Sequence, residues 1–129
     1  MKITDHFTRE EFACHNGTPY PLKWIDSRLF PLCKALEKIR AKVKSPITIT
    51  SGYRTLGYNA KIPGAAKNSY HTKGMAADFK VAKLTGQELY DIVEKMINTK
   101  EIPNGGLGSY KNHSFVHYDI GPAGRRWNK

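Results

Sequence analysis

The sequence predicts an α+β domain in which flanking helices pack against a small antiparallel sheet. Two segments carry apolar residues at helical spacing, and four others are β-branched or alternate between apolar and polar residues. No repeat, low-complexity tract or linker divides the 129 residues, whose apolar fraction is 40%. A chain of this length buries a core without cross-links, so we expect one domain over residues 1–129.

Helices are predicted in the first third of the chain. Thr8 and Glu11 form a capping box that opens a short helix. A longer helix is expected from about Asp26 or Ser27 to Val43, with Pro31 in its first turn, where a missing N–H costs little. Its apolar residues form one stripe, consisting of Leu29, Leu32, Leu36, Ile39 and Val43.

Strands are predicted at 47–51, 75–81, 107–110 and 114–120, the last two as an antiparallel pair. In the 75–81 segment Asp78 lies on the face opposite Phe79, because side chains alternate along a strand. A short helix is expected after Thr55, and another follows the capping box formed by Thr85 and Glu88.

Net charge is the most informative property of the composition. Twenty-one Lys and Arg residues against 11 Asp and Glu residues give +10. Such a chain favours polyanionic partners: nucleic acid, an anionic membrane, or a bacterial wall rich in phosphate and carboxylate. The densest basic cluster, residues 34–44, lies on the predicted long helix, where a solvated face is the simpler interpretation.

No stretch of the sequence is long and apolar enough to span a membrane, and the first residues do not form a secretory signal. We therefore expect a chain made in the cytoplasm. The two cysteines, Cys14 and Cys33, are too few for a disulfide scaffold. They are interpreted as buried thiols, with a single disulfide as the alternative.

Candidate metal ligands lie in two segments. His71 and Asp78 flank Gly74, a residue suited to a tight reversal that would bring their side chains together. Far downstream, His117 and Asp119 share one predicted strand face, and His117 can complete a set of two histidines and one aspartate. Three nitrogen and oxygen ligands with one open position are typical of catalytic zinc. The spacing alone occurs often by chance.

Several motifs in the sequence resemble the zinc D-Ala-D-Ala carboxypeptidase family, which includes wall-lytic peptidases and phage endolysins and shares its fold with the amino-terminal domain of hedgehog proteins. The two most specific motifs are Ser51-Gly52-Tyr53-Arg54 and Ser69-x-His71-x-x-Gly74-x-Ala76-x-Asp78. Three further motifs are similar: His117-x-Asp119, Phe7-x-x-x-Glu11-Phe12-x-Cys14 and Gly124-Arg125-Arg126-Trp127. The last two resemble the short, single-domain branch of the family, so the resemblance covers nearly the whole chain.

The resemblance implies one Zn²⁺ held by His71, Asp78 and His117, and a substrate drawn from peptidoglycan stem peptides. Arg54 would face the substrate and stabilise the charge on its carbonyl or carboxylate oxygen, and Ser69 would lie at the rim of the site. Either a carboxypeptidase or an endopeptidase is consistent with these motifs. An exposed ion pair is the alternative for Arg54.

The general base departs from the family pattern. Many members place Glu or Asp three residues before the second ligand histidine, where this chain has Ser114, which takes no proton at neutral pH. Asp119, about 7 Å along the same strand from His117, would take the proton or orient His117. His113 on the same predicted face is the other candidate, although a plain exposed histidine is the simpler interpretation.

Two other functions remain open at this point. Ser114 supports a zinc-binding interaction module of the same fold that has lost catalysis. A basic nucleic-acid-binding domain is the weaker alternative, because no nucleic-acid motif or stacking pattern is present. We expect a monomer that binds no nucleic acid and, as its substrate lies outside the membrane, delivery by phage lysis or in a virion.

Overall fold

A computed structural model describes residues 1–129 and contains three α-helices. They are α1 (Phe30–Val43), α2 (Leu56–Ala60) and α3 (Gly86–Asn98). Shorter 3-10 helices occupy Arg9–Phe12, Leu22–Trp24 and Tyr70–Lys73, and a π-helical turn occupies Ile25–Leu29. None of the helices combines the length and the apolar character that crossing a membrane requires.

The predicted long helix begins as a π-helical turn and becomes α-helical at Phe30. Pro31 lies at the start of α1, as expected, and explains the change. It has no N–H to donate to the carbonyl of Ser27, and its ring crowds that carbonyl. The Phe30 N–H instead bonds the carbonyl of Ile25. Both predicted capping boxes are present, at Thr8 and at Thr85.

The main sheet has five strands in the order β3-β4-β6-β5-β7. Their bounds are β3 (Thr48–Ser51), β4 (Ala76–Lys80), β5 (Gly106–Ser109), β6 (Val116–Asp119) and β7 (Arg125–Asn128). All neighbours are antiparallel except β5 and β7, which are parallel. A separate antiparallel pair joins β1 (Lys2–Thr4) to β2 (Phe7–Thr8). The α+β prediction is confirmed, while β7 makes the sheet mixed and was not predicted.

One hydrophobic core joins the apolar faces of α1 and α3 to one face of the sheet. Phe79 on β4 and Val116 on β6 contribute to it, and Asp78 and His117 are therefore directed to the other face, which carries the site. Cys14 and Cys33 are both buried and free, so the structure agrees with packed thiols and contains no disulfide.

Candidate metal centre

The sequence folds so that His71, Asp78 and His117 converge. His71 lies in the 3-10 helix Tyr70–Lys73, which ends at Gly74 in the left-handed conformation with φ of 67°. This is the predicted reversal, and it leads directly into β4, which carries Asp78. Asp78 and His117 are then direct partners across the antiparallel β4–β6 pair. A tight turn and a strand register are sufficient to bring the three residues together.

The three side chains present their ligand atoms to one point. His71 Nε2 is 3.1 Å and His117 Nδ1 is 3.3 Å from Asp78 Oδ1, and the two nitrogens are 3.2 Å apart. One ligand atom from each residue lies within 4.8 Å of the others, and all three residues are buried. The structure thus brings together all three predicted ligands.

The other ring nitrogen of each histidine faces a hydrogen-bond acceptor. His71 Nδ1 lies 2.7 Å from the carbonyl oxygen of Gly52, and His117 Nε2 lies 2.7 Å from Asp119 Oδ2. Each acceptor requires an N–H on its own side of the ring, which leaves the lone pairs of His71 Nε2 and His117 Nδ1 directed at Asp78. Two lone pairs and a carboxylate repel one another unless a cation lies between them. The donor set therefore fits zinc.

Asp119 is completely buried and accepts hydrogen bonds on both oxygens. Oδ1 accepts from the backbone N–H groups of Gly106 (3.1 Å) and Gly121 (2.9 Å) and from Arg125 Nη2 (2.6 Å). Oδ2 accepts from His117 and from Arg125 Nη1 (3.2 Å). Protein donors thus occupy every lone-pair direction of this carboxylate, so Asp119 is suited to holding the ring of His117 in one orientation.

The surroundings of Asp119 keep its carboxyl group ionised. Burial alone would raise the pKa of Asp119, but hydrogen bonds from His117 and Arg125 outweigh it and hold the pKa well below its usual range. Burial lowers the pKa of His71, which favours the neutral imidazole that a metal ligand needs.

Arg54 lies beside the cluster with its side chain only 14% exposed. Its Nη2 donates to Asp78 Oδ2 at 3.3 Å, its Nη1 to Asn59 Oδ1 at 3.4 Å and its Nε to Ser51 Oγ at 3.3 Å. These contacts exclude the exposed ion pair. Asn59, which the sequence did not indicate, is buried on α2 and also donates to the carbonyl of Ala66 at 2.9 Å.

A cavity of about 510 Å³ opens over the cluster. Ser69 lines it, as predicted for the rim, and its Oγ accepts from the backbone N–H of His71 at 3.2 Å. The segment Ile62–Ala66 lines one side. Aromatic side chains line the cavity as well, namely Tyr70, Tyr110, Phe115 and Trp127.

The expectation that His113 shares the strand face of His117 is wrong. β6 begins only at Val116, and the His113 N–H bonds the carbonyl of Tyr110 in a turn at 3.0 Å. His113 and Ser114 are both exposed and do not line the cavity. The strand prediction extended too far because polar residues of this turn happened to continue the alternating pattern.

Arg125 and Trp127 on β7 contribute to the site, although no role in it was predicted for them from the sequence. The ring of Trp127 packs on that of His117 with centroids 4.8 Å apart, and Arg125 binds Asp119. Both belong to the Gly124–Trp127 motif that contributed to the family resemblance. Their place in the site follows from the parallel pairing of β7 with β5, which no local pattern indicates.

Comparison with known protein families identifies one match over most of the chain. The family described as Peptidase M15 matches residues 5–119. The peptidoglycan L,D-endopeptidase MepK of Escherichia coli strain K12 is 37% identical over 110 residues, which are 82% of this chain and 56% of the relative. A protein of Haemophilus influenzae named "Probable peptidoglycan L,D-endopeptidase MepK" is 36% identical over 107 residues, 80% of this chain and 54% of the relative. The chain spans about half the length of these relatives.

Proposed function

Since the chain belongs to the Peptidase M15 family, we propose that it is a zinc-dependent endopeptidase that hydrolyses an amide bond within peptidoglycan stem peptides. The names of the E. coli and H. influenzae relatives support an endopeptidase over a carboxypeptidase. The cavity of about 510 Å³ lies in the range of ligand-binding pockets and accommodates a short peptide segment.

The observation that carries the proposal is the orientation of the two imidazoles. A polar cluster that served only packing would share protons between its members, whereas here each proton is assigned to an outer acceptor and the inner lone pairs face one another. His71, Asp78 and His117 would hold the zinc ion. When bound, zinc supplies Lewis acidity that polarises the scissile carbonyl and lowers the pKa of water.

Arg54 is proposed to stabilise the negative charge that develops on the scissile carbonyl oxygen. Its guanidinium is held by Asp78, Asn59 and Ser51, so its position costs no reorganisation during the reaction. The Arg54 side chain lines the cavity and retains partial exposure, which leaves it accessible to a substrate.

Asp119 is proposed to orient His117 and not to accept the proton from water. Both of its oxygens are occupied by protein donors, and its lowered pKa makes it a weak base. The fixed Nε2–H of His117 keeps Nδ1 available to the metal.

Charge supports a substrate that carries carboxylates. Three cationic side chains line the cavity: Arg54, Arg125 and Lys129. The only acids in the lining are Asp78 and Asp119, and both are engaged by neighbouring residues. Stem peptides bear free carboxylates, which such a cavity attracts.

The experiment that tests the proposal combines metal analysis with digestion of defined muropeptides. We expect one zinc per chain, and cleavage of a cross-linked muropeptide dimer that stops with chelator and returns with zinc. A monomer ending in D-Ala-D-Ala tests the carboxypeptidase. His71→Ala should lose zinc and cleavage, whereas His15→Ala, which changes an exposed histidine, should retain both. Stoichiometric zinc without cleavage of either substrate would favour the inactive binding module.

Delivery by phage lysis or in a virion, the monomeric state and the lack of nucleic-acid binding stay predictions of the sequence. Size-exclusion chromatography with light scattering tests the second, and a DNA-binding titration at low salt tests the third.

A further inference from the structure

The cavity holds few groups that can donate a proton or a hydrogen bond to a substrate oxygen. Beyond its cationic side chains and the cluster itself, hydroxyl groups come from Ser69, Tyr70 and Tyr110. Ser69 Oγ caps the 3-10 helix Tyr70–Lys73 by accepting from the backbone N–H of His71. The guanidinium carbon of Arg125 lies over the Tyr70 ring, 4.5 Å from the ring centroid. Tyr110 is the hydroxyl group whose surroundings remain to be explained.

Tyr110 directly follows β5 and continues the alternation of its side chains on the face that carries the site. Gly106 pairs with Asp119 and Gly108 pairs with His117, so these two glycines lie on the site face, and Tyr110 follows at the next alternate position. A Cβ atom at Gly106 would overlap Asp119, and one at Gly108 would overlap the Trp127 ring. Two missing side chains therefore leave room for the site, and Tyr110, just after the strand, is the first side chain of this segment that lines the cavity.

The hydroxyl of Tyr110 is held as an acceptor. Trp127 Nε1–H donates to it at 3.3 Å, and its ring packs on Phe115 with centroids 4.8 Å apart. The same Trp127 ring packs on His117, so a single indole separates the phenol from a metal ligand. Because the protein uses the oxygen as an acceptor and offers no acceptor for the phenolic proton, that proton is free to bond a substrate.

Tyr110 remains a neutral phenol at working pH. Burial raises its pKa above the ordinary value, although the hydrogen bond from Trp127 acts in the opposite direction. A neutral phenol is a donor, which suits an oxygen that gains negative charge.

We propose that Tyr110 is a catalytic residue whose hydroxyl donates a hydrogen bond to the scissile carbonyl oxygen as that oxygen becomes negatively charged. The proposal rests on the proposed peptidase function. Tyr110 keeps its proton throughout: water provides the hydroxyl group that adds to the carbonyl carbon and the proton that reaches the leaving amine, and the C–N bond breaks. Together with Arg54, which also lines the cavity, the phenol provides a second donor for this oxygen.

The test compares Tyr110→Phe with wild-type protein loaded with zinc, on the cross-linked muropeptide dimer. Removal of one preorganised oxyanion donor lowers kcat by about 100-fold in comparable sites, and we expect a loss of that order with little change in KM. Zinc content should stay as in wild type, and the thermal midpoint should fall only slightly, because the Phe ring preserves the contact with Phe115 and the variant loses only the 3.3 Å hydrogen bond from Trp127. The matched control is Tyr90→Phe, which removes a half-buried phenol from α3, away from the cavity.

A second readout is the affinity for a phosphinate analogue of the scissile amide, measured by calorimetry. It should weaken with Tyr110→Phe in parallel with kcat, since the analogue carries the anionic oxygens. If wild type and Tyr110→Phe cleave the dimer equally well, the proposed role of Tyr110 is overturned and the peptidase function stands. A Tyr110→Leu variant removes the ring as well as the hydroxyl. If this variant loses activity and Tyr110→Phe does not, the ring serves packing and the hydroxyl has no catalytic role. A wild-type protein that binds zinc and cleaves nothing overturns the peptidase function and this proposal with it.

Discussion

Replacement of Asp119 by asparagine tests whether this carboxylate sets the proton position on His117. Both Asp119 oxygens face donors: His117 Nε2–H and Arg125 on one side, and Gly106, Gly121 and Arg125 on the other. An amide NH₂ must replace one of these oxygens, so whichever way it points, it faces a donor. The variant keeps the volume of the side chain and changes only its charge and one acceptor.

The backbone donors at Oδ1 favour the amide orientation that keeps oxygen there and turns the NH₂ toward His117. His117 then accepts at Nε2 and carries its proton on Nδ1, which is the nitrogen that lies 3.3 Å from Asp78. With its proton on Nδ1, His117 offers no lone pair to the metal, so metal binding has to break the new hydrogen bond to the amide. Changes to such supporting residues cost about 10- to 100-fold in metal affinity, which corresponds to about 1.4–2.7 kcal/mol.

The assay is a competition titration of zinc against a chromophoric chelator, at neutral pH and fixed protein concentration. We expect the Kd of Asp119→Asn to rise by about 10- to 100-fold. Asp91→Asn, which neutralises an exposed carboxylate on α3, is the matched control and should leave the Kd unchanged. An Asp119→Asn variant with the zinc affinity of wild type would refute the argument that Asp119 determines the tautomer of His117.

Three further substitutions address the surroundings of the metal cluster. Asn59→Ala removes the acceptor of Arg54 Nη1, and we expect activity to fall about tenfold, measured as kcat/KM, since hydrogen bonds to charged groups contribute about 1.5–3 kcal/mol. Gly108→Ala forces the Trp127 ring to move and should lower the free energy of unfolding by about 1–3 kcal/mol in a urea titration. Ser114→Glu should give no gain in kcat, because position 114 is exposed and outside the cavity.

Each of these three predictions has an outcome that would contradict it. Gly57→Ala is the control for Gly108, since a Cβ at Gly57 meets nothing within 4 Å, and equal unfolding midpoints for the two variants would show that Trp127 yields freely. For Asn59, activity at the wild-type level would mean that Asp78 and Ser51 suffice to hold Arg54. A raised kcat in Ser114→Glu would contradict the third prediction, because it would show that a carboxylate at position 114 reaches the site and acts as the base.

The elements that the sequence predicted correctly are those specified by local patterns. α1 and α3 follow from apolar residues at helical spacing, and the start of α3 follows from Thr85. α1 begins at Phe30, after the predicted Asp26 or Ser27. The reversal before β4 follows from Gly74, whose positive φ most other residues adopt at a cost. The three converging side chains were identified because specific motifs surround them, since their spacing alone occurs often by chance.

The features that the sequence did not reveal depend on long-range pairing. β7 has the sequence Arg-Arg-Trp-Asn, which shows no alternation of apolar and polar residues, and it becomes a strand only through β5. Arg125 and Trp127 reach Asp119 and His117 through that pairing. Asn59 is similar, because a polar residue on a five-residue helix gives no sign that its amide joins Arg54 to Ala66.

The metal site derives its rigidity from the core on the opposite face of the same strands. On β4, Ala77 and Phe79 pack into the core while Asp78 faces the cavity, and on β6 the neighbours of His117 pack in the same way. Because side chains alternate strictly along a strand, a one-residue slip of either strand would place a ligand in the core and an apolar residue at the metal. The free energy that fixes the register of the core therefore also fixes the ligand positions before any metal binds. Because the ligands are held in position in advance, little of the binding free energy of the ion is spent on ordering the site.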